Sequence, residues 1–355
     1  GIDALLLTNP TNIRYLTGFI GAAPQEREAY VLLTKGKTFL FTNALYLEQV
    51  KKLSVTVIEV SRENPFAKKL GEVLKNSLAA SQEVVLRGYR LGFEENDLTV
   101  AEYKKLKQTI KGVDLIPTIN RVEKLRMIKR EDEISYIRRA AKITDECFAY
   151  LTSILKPGVT ESEIAWEIEA FFRKHGAEAA FSPIVAFGKN SSQSHYNLAR
   201  HSLAISQGNV LKKQDIVLLD FGAKVNGYCS DMTRVVFIGK PKDEWKRTYE
   251  VVLEAQKEAL DHVRDNPDKR ARDFIQKAGF PLYPHSLGHG VGLAIHEQPR
   301  LSYKKDITLL LGMIVTIEPA IYVEGNYGIR IEDLVLLKKD GIEVLSHSPK
   351  KLTIL

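Results

Sequence analysis

The chain has 355 residues, of which 44% are hydrophobic and 27% charged, with a formal net charge of +7. No apolar run approaches the roughly 18–20 residues of a membrane span, and the two cysteines, Cys147 and Cys229, are too few for a disulfide scaffold or a cysteine-based zinc site. The densest basic runs, 121–130 and 338–351, have acidic residues inside them, so the excess charge reads as solvated surface, and neither nucleic acid nor a membrane is expected as a partner.

No secretory-signal pattern is visible near the first residue, and with so few cysteines a reducing cytoplasm is the expected compartment. The length favours two domains. In chain order, residues 4–7 are a short buried-strand run closed by Asn9-Pro10. Residues 30–33 and 38–41 flank Lys35-Gly36-Lys37 and predict a hairpin, and residues 55–60 predict a further strand. Helices are predicted over 66–78 and 99–110, with short strands at 84–86 and 90–93. This is a mixed α/β domain, drawn at residues 1–122, with its junction marked by Pro117 and the charge-dense 121–130.

The rest of the chain, 123–355, opens with a long helix. Ile134, Ile137, Ala141, Phe148, Leu151 and Leu155 keep the spacing of one buried face, broken at Thr144, and Lys156-Pro157-Gly158 stops it. Thr160 and Glu163 form a capping box for the next helix, which runs through Ile164, Ile168 and Phe171 to Gly176. A similar layout returns later. Trp245, Tyr249, Val252, Ala259 and Val263 mark a helix ending near Asn266-Pro267, and a second helix is predicted over 270–277. Each helix pair is followed by a histidine-bearing loop and then strands, which predicts a duplicated, pseudo-symmetric α+β domain.

The chemistry sits in those strands. Leu218-Leu219-Asp220-Phe221-Gly222 is an apolar strand carrying one aspartate. The chain turns at Val225-Asn226-Gly227 and returns through Ser230-Asp231-Met232-Thr233-Arg234. A turn centred between Val225 and Asn226 would place Asp220 opposite Asp231, with Cα atoms roughly 4.5–5.5 Å apart. Two like charges there are costly. Either one is protonated, or one meets an arginine such as Arg234, or a cation lies between them. The arrangement recurs at Ile317-Glu318, the turn Glu324-Gly325-Asn326 and the return Arg330-Ile331-Glu332. Reflection about Gly325 sets Glu318 opposite Glu332, with Arg330 on the same face as Glu332.

Between the pairs lie His285, His289 and His296, with Gly288, Gly290 and Gly292 beside His289. Glycine lets backbone approach a site closely, and histidine is the commonest metal-binding side chain. Four carboxylates and one imidazole form a hard, oxygen-rich donor set that favours manganese, cobalt or zinc over copper. Four negative charges suit two divalent ions, which lower the pKa of a shared water and polarise a carbonyl. The residues alone therefore point to metal-assisted hydrolysis.

Across nearly its whole length the chain resembles the Xaa-Pro peptidases, prolidase and aminopeptidase P, within the pita-bread metallopeptidases. Residues 6–18 resemble the opening of the creatinase/prolidase N-terminal domain, which methionine aminopeptidases lack. Asp220, Asp231, His289 in Gly-His-Gly-Val-Gly, Glu318 in Ile-Glu-Pro and Glu332 in Arg-Ile-Glu-Asp match the five-ligand pattern. The resemblance implies two divalent metal ions, manganese first and cobalt or zinc as alternatives. Asp231 and Glu332 would bridge them, Asp220 would complete one, and His289 and Glu318 the other, with Glu318 also a proton shuttle. His285 and His296 match substrate-contacting histidines, and Arg330 an arginine near the proline side. His195 is the expected partner of the substrate amide, with His201 as the alternative. Ala320 stands where relatives usually have glycine after Glu-Pro.

The implied substrate is a peptide with proline second, or an Xaa-Pro dipeptide, and the implied assembly is a homodimer. Two other functions compete: a non-catalytic pita-bread module binding protein or nucleic acid, and a creatinase-like metal-independent hydrolase. The intact ligand set argues against both. Cys229, on the strand face of Asp231, reads as a small residue packed beneath the site rather than a nucleophile, and Cys147 as core.

Overall fold

The computed structural model describes residues 1–23, 26–78, 86–197, 208–304 and 308–355. They form two compact units, Gly1–Leu125 and Arg126–Leu355. Among the described residues no helix is long and apolar enough to cross a membrane. The strand expected at 84–86 and the alternative histidine, His201, lie wholly or largely outside the described residues.

The first unit is built on a six-stranded mixed sheet. Its spatial order is Thr56–Glu59, Thr38–Thr42, Ala29–Leu33, Ala4–Leu7, Tyr89–Glu94, Val113–Thr118. Side chains alternate between its faces. Leu6, Leu32, Phe41 and Leu91 share one core with the helices Phe66–Leu78 and Val100–Thr109. Leu7, Val31 and Leu40 share another with Ile13 of the helix Pro10–Thr17. Asn9 and Pro10, which read as a strand stop, start that helix: the Asn9 side chain accepts from the N–H groups of Thr11 and Asn12, and Pro10 needs no donor at the first turn. Pro117, which read as a junction, sits in the strand Val113–Thr118, an edge strand where a missing N–H costs nothing.

In the second unit, Glu131–Ile154 starts with three acidic residues in its first turn, and Glu161–Lys174 starts with the Thr160/Glu163 capping box. The later pair is Asp243–Asp261 and Pro267–Lys277, the second opening three residues before its predicted start because Asn266 caps it and Pro267 takes its first position. Two sheets lie between these helix pairs. One runs Thr353–Ile354, Met232–Ile238, Asp215–Phe221, Ile184–Phe187, and the other Glu297–Leu301, Gly288–Gly290, Ile314–Ile317, Asp333–Lys338, Gly341–Val344.

Both faces of each sheet are covered, so its central strands are buried along nearly their whole length. Ile216, Leu218, Val235 and Phe237 share a core with Val315, Ile317, Val335 and the Asp243–Asp261 helix. Val217, Leu219, Phe221 and Val236 pack with the helices Glu131–Ile154 and Glu161–Lys174. Ile134 and Ile137 do the same for Ile314 and Leu336. Phe172, rather than Phe171, is the fully buried phenylalanine of its helix. Cys147 and Cys229 are both buried packing residues.

Candidate active site

His195, Asp220, Asp231, His285, His289, His296, Glu318, Arg330 and Glu332 line one cavity of about 220 Å³ in the Arg126–Leu355 unit. Strand ends and turns put them there. In the second sheet, Ile317 pairs with Asp333, and in the adjoining ribbon Ala320 pairs with Arg330. Positions 318 and 332 therefore face each other, as reflection about Gly325 predicts. The first hairpin differs. Its turn is the two residues Asn226 and Gly227, both at positive φ, closed by the Val225–Tyr228 pair. The register is therefore Asp220 against Thr233, and Asp231 lies diagonal to Asp220 rather than opposite it. A period of two keeps both carboxylates on one face despite the shift. Arg234, considered as their neutraliser, instead pairs with buried Asp333 at 2.7 Å.

Close backbone approach shapes the floor. A Cβ on Gly222 would lie 1.8 Å from the Ser230 carbonyl oxygen, and one on Gly288 would lie 1.9 Å from that of Thr316. Only glycine lets these chains pass beside Asp231 and His289.

The charges inside are strained in one direction. Burial, reinforced by the neighbouring carboxylates, pushes Asp231 and Glu318 well above the ordinary carboxylate range. Burial and the charge of Asp220 push Glu332 up to about 8. Burial raises Asp220 too, against the opposing pull of Arg330, whose Nη2 donates to Asp220 Oδ2. Asp220 Oδ1 is buried with no hydrogen-bond partner among the described residues. Burial lowers His289 to about 4, so its ring is neutral near pH 7.

That neutrality fixes where its proton sits. His289 Nδ1 is 3.1 Å from the Gly290 carbonyl oxygen, which can only accept, so the proton is on Nδ1. The unprotonated Nε2 then faces Glu318 Oε1 at 3.4 Å and Asp231 Oδ2 at 3.6 Å. A lone pair aimed at two carboxylates is unfavourable unless a proton or a metal cation lies among them. Donor atoms of Asp231, His289 and Glu332 lie within 4.8 Å of one another. The residues present thus fit a divalent metal of the oxygen- and imidazole-binding class.

The other histidines are placed differently. His285 Nδ1 donates to Ser286 O at 2.8 Å, and its Nε2 is 3.2 Å from the Tyr322 hydroxyl. Burial lowers His285 to about 4 and lowers His296 as well. His195 is exposed at the cavity wall, with Phe181, Ile184 and Ile295 as apolar neighbours in the lining.

Four contributors did not stand out in the sequence. Thr233 Oγ1 donates to Glu332 Oε2 at 2.6 Å and accepts from Arg330 Nε at 2.9 Å. Thr316 Oγ1 accepts from the His289 N–H at 3.1 Å and donates to Glu318 Oε1 at 3.1 Å. Tyr322 takes Arg330 Nη1 at 2.6 Å. Arg300 adds an exposed guanidinium to the lining. Thr233 and Thr316 stand two residues from a carboxylate on a strand, a period-two signal that could have found them.

Comparison with known proteins agrees with this geometry. Residues 135–339 match the model of metallopeptidase family M24, and residues 1–128 that of the creatinase/prolidase N-terminal domain. The uncharacterized peptidase YqhT of Bacillus subtilis is 36% identical over 100% of this chain and 96% of its own length. The structure is similar to that of an Xaa-Pro dipeptidase from Bacillus anthracis, with a TM-score of 0.89, 37% identity and coverage of 100% and 96% of the two chains. It is also similar to an X-Pro aminopeptidase from Thermotoga maritima, with a TM-score of 0.86, 33% identity and coverage of 100% and 98%.

Proposed function

The chain belongs to metallopeptidase family M24, with a creatinase-type domain before a pita-bread domain, and on that premise we propose that it hydrolyses the Xaa-Pro bond of dipeptides or of peptides with proline second, using two divalent metal ions. The observation that carries the metal part is the unprotonated His289 Nε2 facing two carboxylates, Asp231 and Glu318, that burial and their neighbours' charges push well above the ordinary range. Asp231 and Glu332 would be shared between two ions, with Asp220 completing one and His289 and Glu318 the other. Bound there, the ions would acidify a water and polarise the scissile carbonyl.

The chain's own residues do the rest. Glu318, at the cavity with its Oε1 held by the Thr316 hydroxyl, would take and return the proton of that water. Arg330 orients Asp220 while its other nitrogens are held by Thr233, Tyr322 and the Ser194 carbonyl. His195 steadies the substrate amide, and His285 and His296 border it. Proline suits this site because its ring fixes φ near −65° and leaves the scissile amide without a hydrogen. Phe181, Ile184 and Ile295 supply apolar wall for such a ring, with Arg300 available to a carboxylate. The same reading carries a cytoplasmic homodimer, manganese-loaded or with cobalt or zinc.

The test compares manganese-loaded protein on Ala-Pro, Ala-Pro-Ala and Ala-Ala. Cleavage of the proline substrates with little of Ala-Ala is the expected outcome. Equal rates on Ala-Ala and Ala-Pro would remove the proline assignment and leave the metallopeptidase. The ratio between Ala-Pro and Ala-Pro-Ala separates a dipeptidase from an aminopeptidase.

A further inference from the structure

Outside the cavity, Glu161 is a fully buried carboxylate at the start of the Glu161–Lys174 helix. Helix capping does not account for it, because Thr160 and Glu163 already form the capping box. Its oxygens accept five hydrogen bonds from the described residues. The backbone N–H groups of Phe187 and Asn209 donate at 2.7 Å each. The Asn190 amide donates to Oε1 and Oε2 at 2.9 and 3.2 Å, and the Tyr196 hydroxyl donates at 2.9 Å. Asn190 also donates to the Tyr196 hydroxyl at 2.9 Å. Burying an ionised carboxylate is costly unless it is this fully satisfied.

These donors lie along the segment that carries His195. A second tether holds its other side. The Ser194 carbonyl accepts from Arg330 Nη1 at 3.2 Å, and the Gly328 N–H donates to Ser191 Oγ at 2.8 Å. His195 is therefore bracketed: the residue before it is tied to a cavity arginine, and the residue after it to Glu161. We propose that Glu161, acting through Tyr196, is a positioning residue that fixes His195 at the cavity wall for contact with the substrate amide. This rests on the reading of His195 given above. A reacting contact that drifts by about 1 Å can lose on the order of a hundredfold in rate, so a fixed backbone on each side of a solvent-facing imidazole has a direct catalytic use.

The experiment is a double-mutant cycle on the metal-loaded enzyme with Ala-Pro as substrate. Tyr196→Phe removes one bond from Glu161 and keeps the buried ring. Glu161→Gln places an amide N–H against donors. The expected results are a fall in kcat of about tenfold for Tyr196→Phe and about a hundredfold for Glu161→Gln. KM and metal content stay unchanged, and the His195 imidazole NMR resonance moves. In the His195→Ala background neither substitution should cost anything further. An equal loss in both backgrounds, or a change in melting temperature alone, would overturn the positioning role and leave His195 assigned. Wild-type kcat in His195→Ala would overturn the His195 assignment itself and the inference with it. If Glu161→Gln does not fold, Tyr196→Phe decides.

Discussion

The two carboxylate hairpins of the second unit bring their acidic side chains to one cavity with different turns. The later one has a three-residue loop, 324–326, with Gly325 at φ 69° in the middle, and its strands mirror about that residue. The earlier one has a two-residue loop with Asn226 at φ 47° and Gly227 at φ 82°, so its mirror lies between residues. The paired positions consequently differ: Glu318 faces Glu332, whereas Asp220 faces Thr233 with Asp231 on the diagonal. The difference teaches that the left-handed residues, not the midpoint of the polar stretch, set a hairpin's centre. It also shows that a shift of two preserves the face, so the charge cluster tolerates the change of register.

The largest effect should come from removing the metal proposed to lie between the two hairpins. Chelation is expected to abolish peptidase activity and lower the melting temperature, since metal at a hundred times its Kd stabilises by about 2.7 kcal/mol. A melting curve and activity that ignore the chelator would leave the paired carboxylates without their proposed partner. Within the set, the single nitrogen donor belongs to the later half. His289→Ala should lower metal content along with turnover. His195→Ala, His285→Ala and His296→Ala should retain metal while losing turnover, by about a hundredfold for His195 as a polarising donor. Equal metal loss in all four, by elemental analysis, would contradict that division.

Legibility followed the strength of the local signal. Glu161–Lys174 was readable because its apolar face and its Thr160/Glu163 capping box agree, and Asp243–Asp261 was readable from its apolar face alone. The helix Pro10–Thr17 was not, because Asn-Pro serves equally as a strand stop and as an N-cap with proline at the first turn. The strand Val113–Thr118 was hidden by Pro117, which only an edge position permits, and edges are a property of the finished sheet. The four carboxylates and His289 were readable as a cluster because paired carboxylates in apolar strands beside a glycine-rich histidine loop are hard to explain otherwise, whereas His195, His285, His296 and Arg330 were placed through the family resemblance. Tyr322 was not, since a tyrosine in the strand Ala320–Val323 is ordinary until Arg330 and His285 are found on its hydroxyl.

A smaller effect tests the electrostatics of both hairpins at once. In metal-free protein Glu332 sits near 8, while in the unfolded chain it returns to the ordinary range. Between about pH 6.5 and 8 the folded state holds a proton that the unfolded state has lost. Stability therefore falls as pH rises, by up to about 1.4 kcal/mol per unit for this one group. Below about 6.5 the sign reverses for His285 and His289. Their folded values near 4 mean the unfolded chain takes up protons the folded one refuses, so acid destabilises. Saturating metal should flatten the alkaline limb by holding the carboxylates ionised. Denaturant melts at pH 6.5 and 8, with and without manganese, read this directly, and an alkaline limb unchanged by metal would place the raised carboxylates elsewhere.

The smallest effect separates turn from site. Gly325 lies at positive φ with nothing within 4 Å of an added Cβ, so Gly325→Ala meets conformational strain alone. The cost should be roughly 1–2 kcal/mol, with metal content and KM unchanged. Gly222 is the contrast in the earlier hairpin. Its Cβ would lie 1.8 Å from the Ser230 carbonyl oxygen, one residue before Asp231. Ser230 cannot give way cheaply, because its hydroxyl is held by Thr144 and the Ala223 N–H, its own N–H donates to the Ala223 carbonyl, and it is buried. Gly222→Ala should therefore displace Asp231 and weaken metal binding as well as stability. Melting temperature and metal stoichiometry measured on both variants make the comparison. If Gly325→Ala lost metal while Gly222→Ala kept it, the hairpin turn rather than the close backbone crossing would be what places the carboxylates.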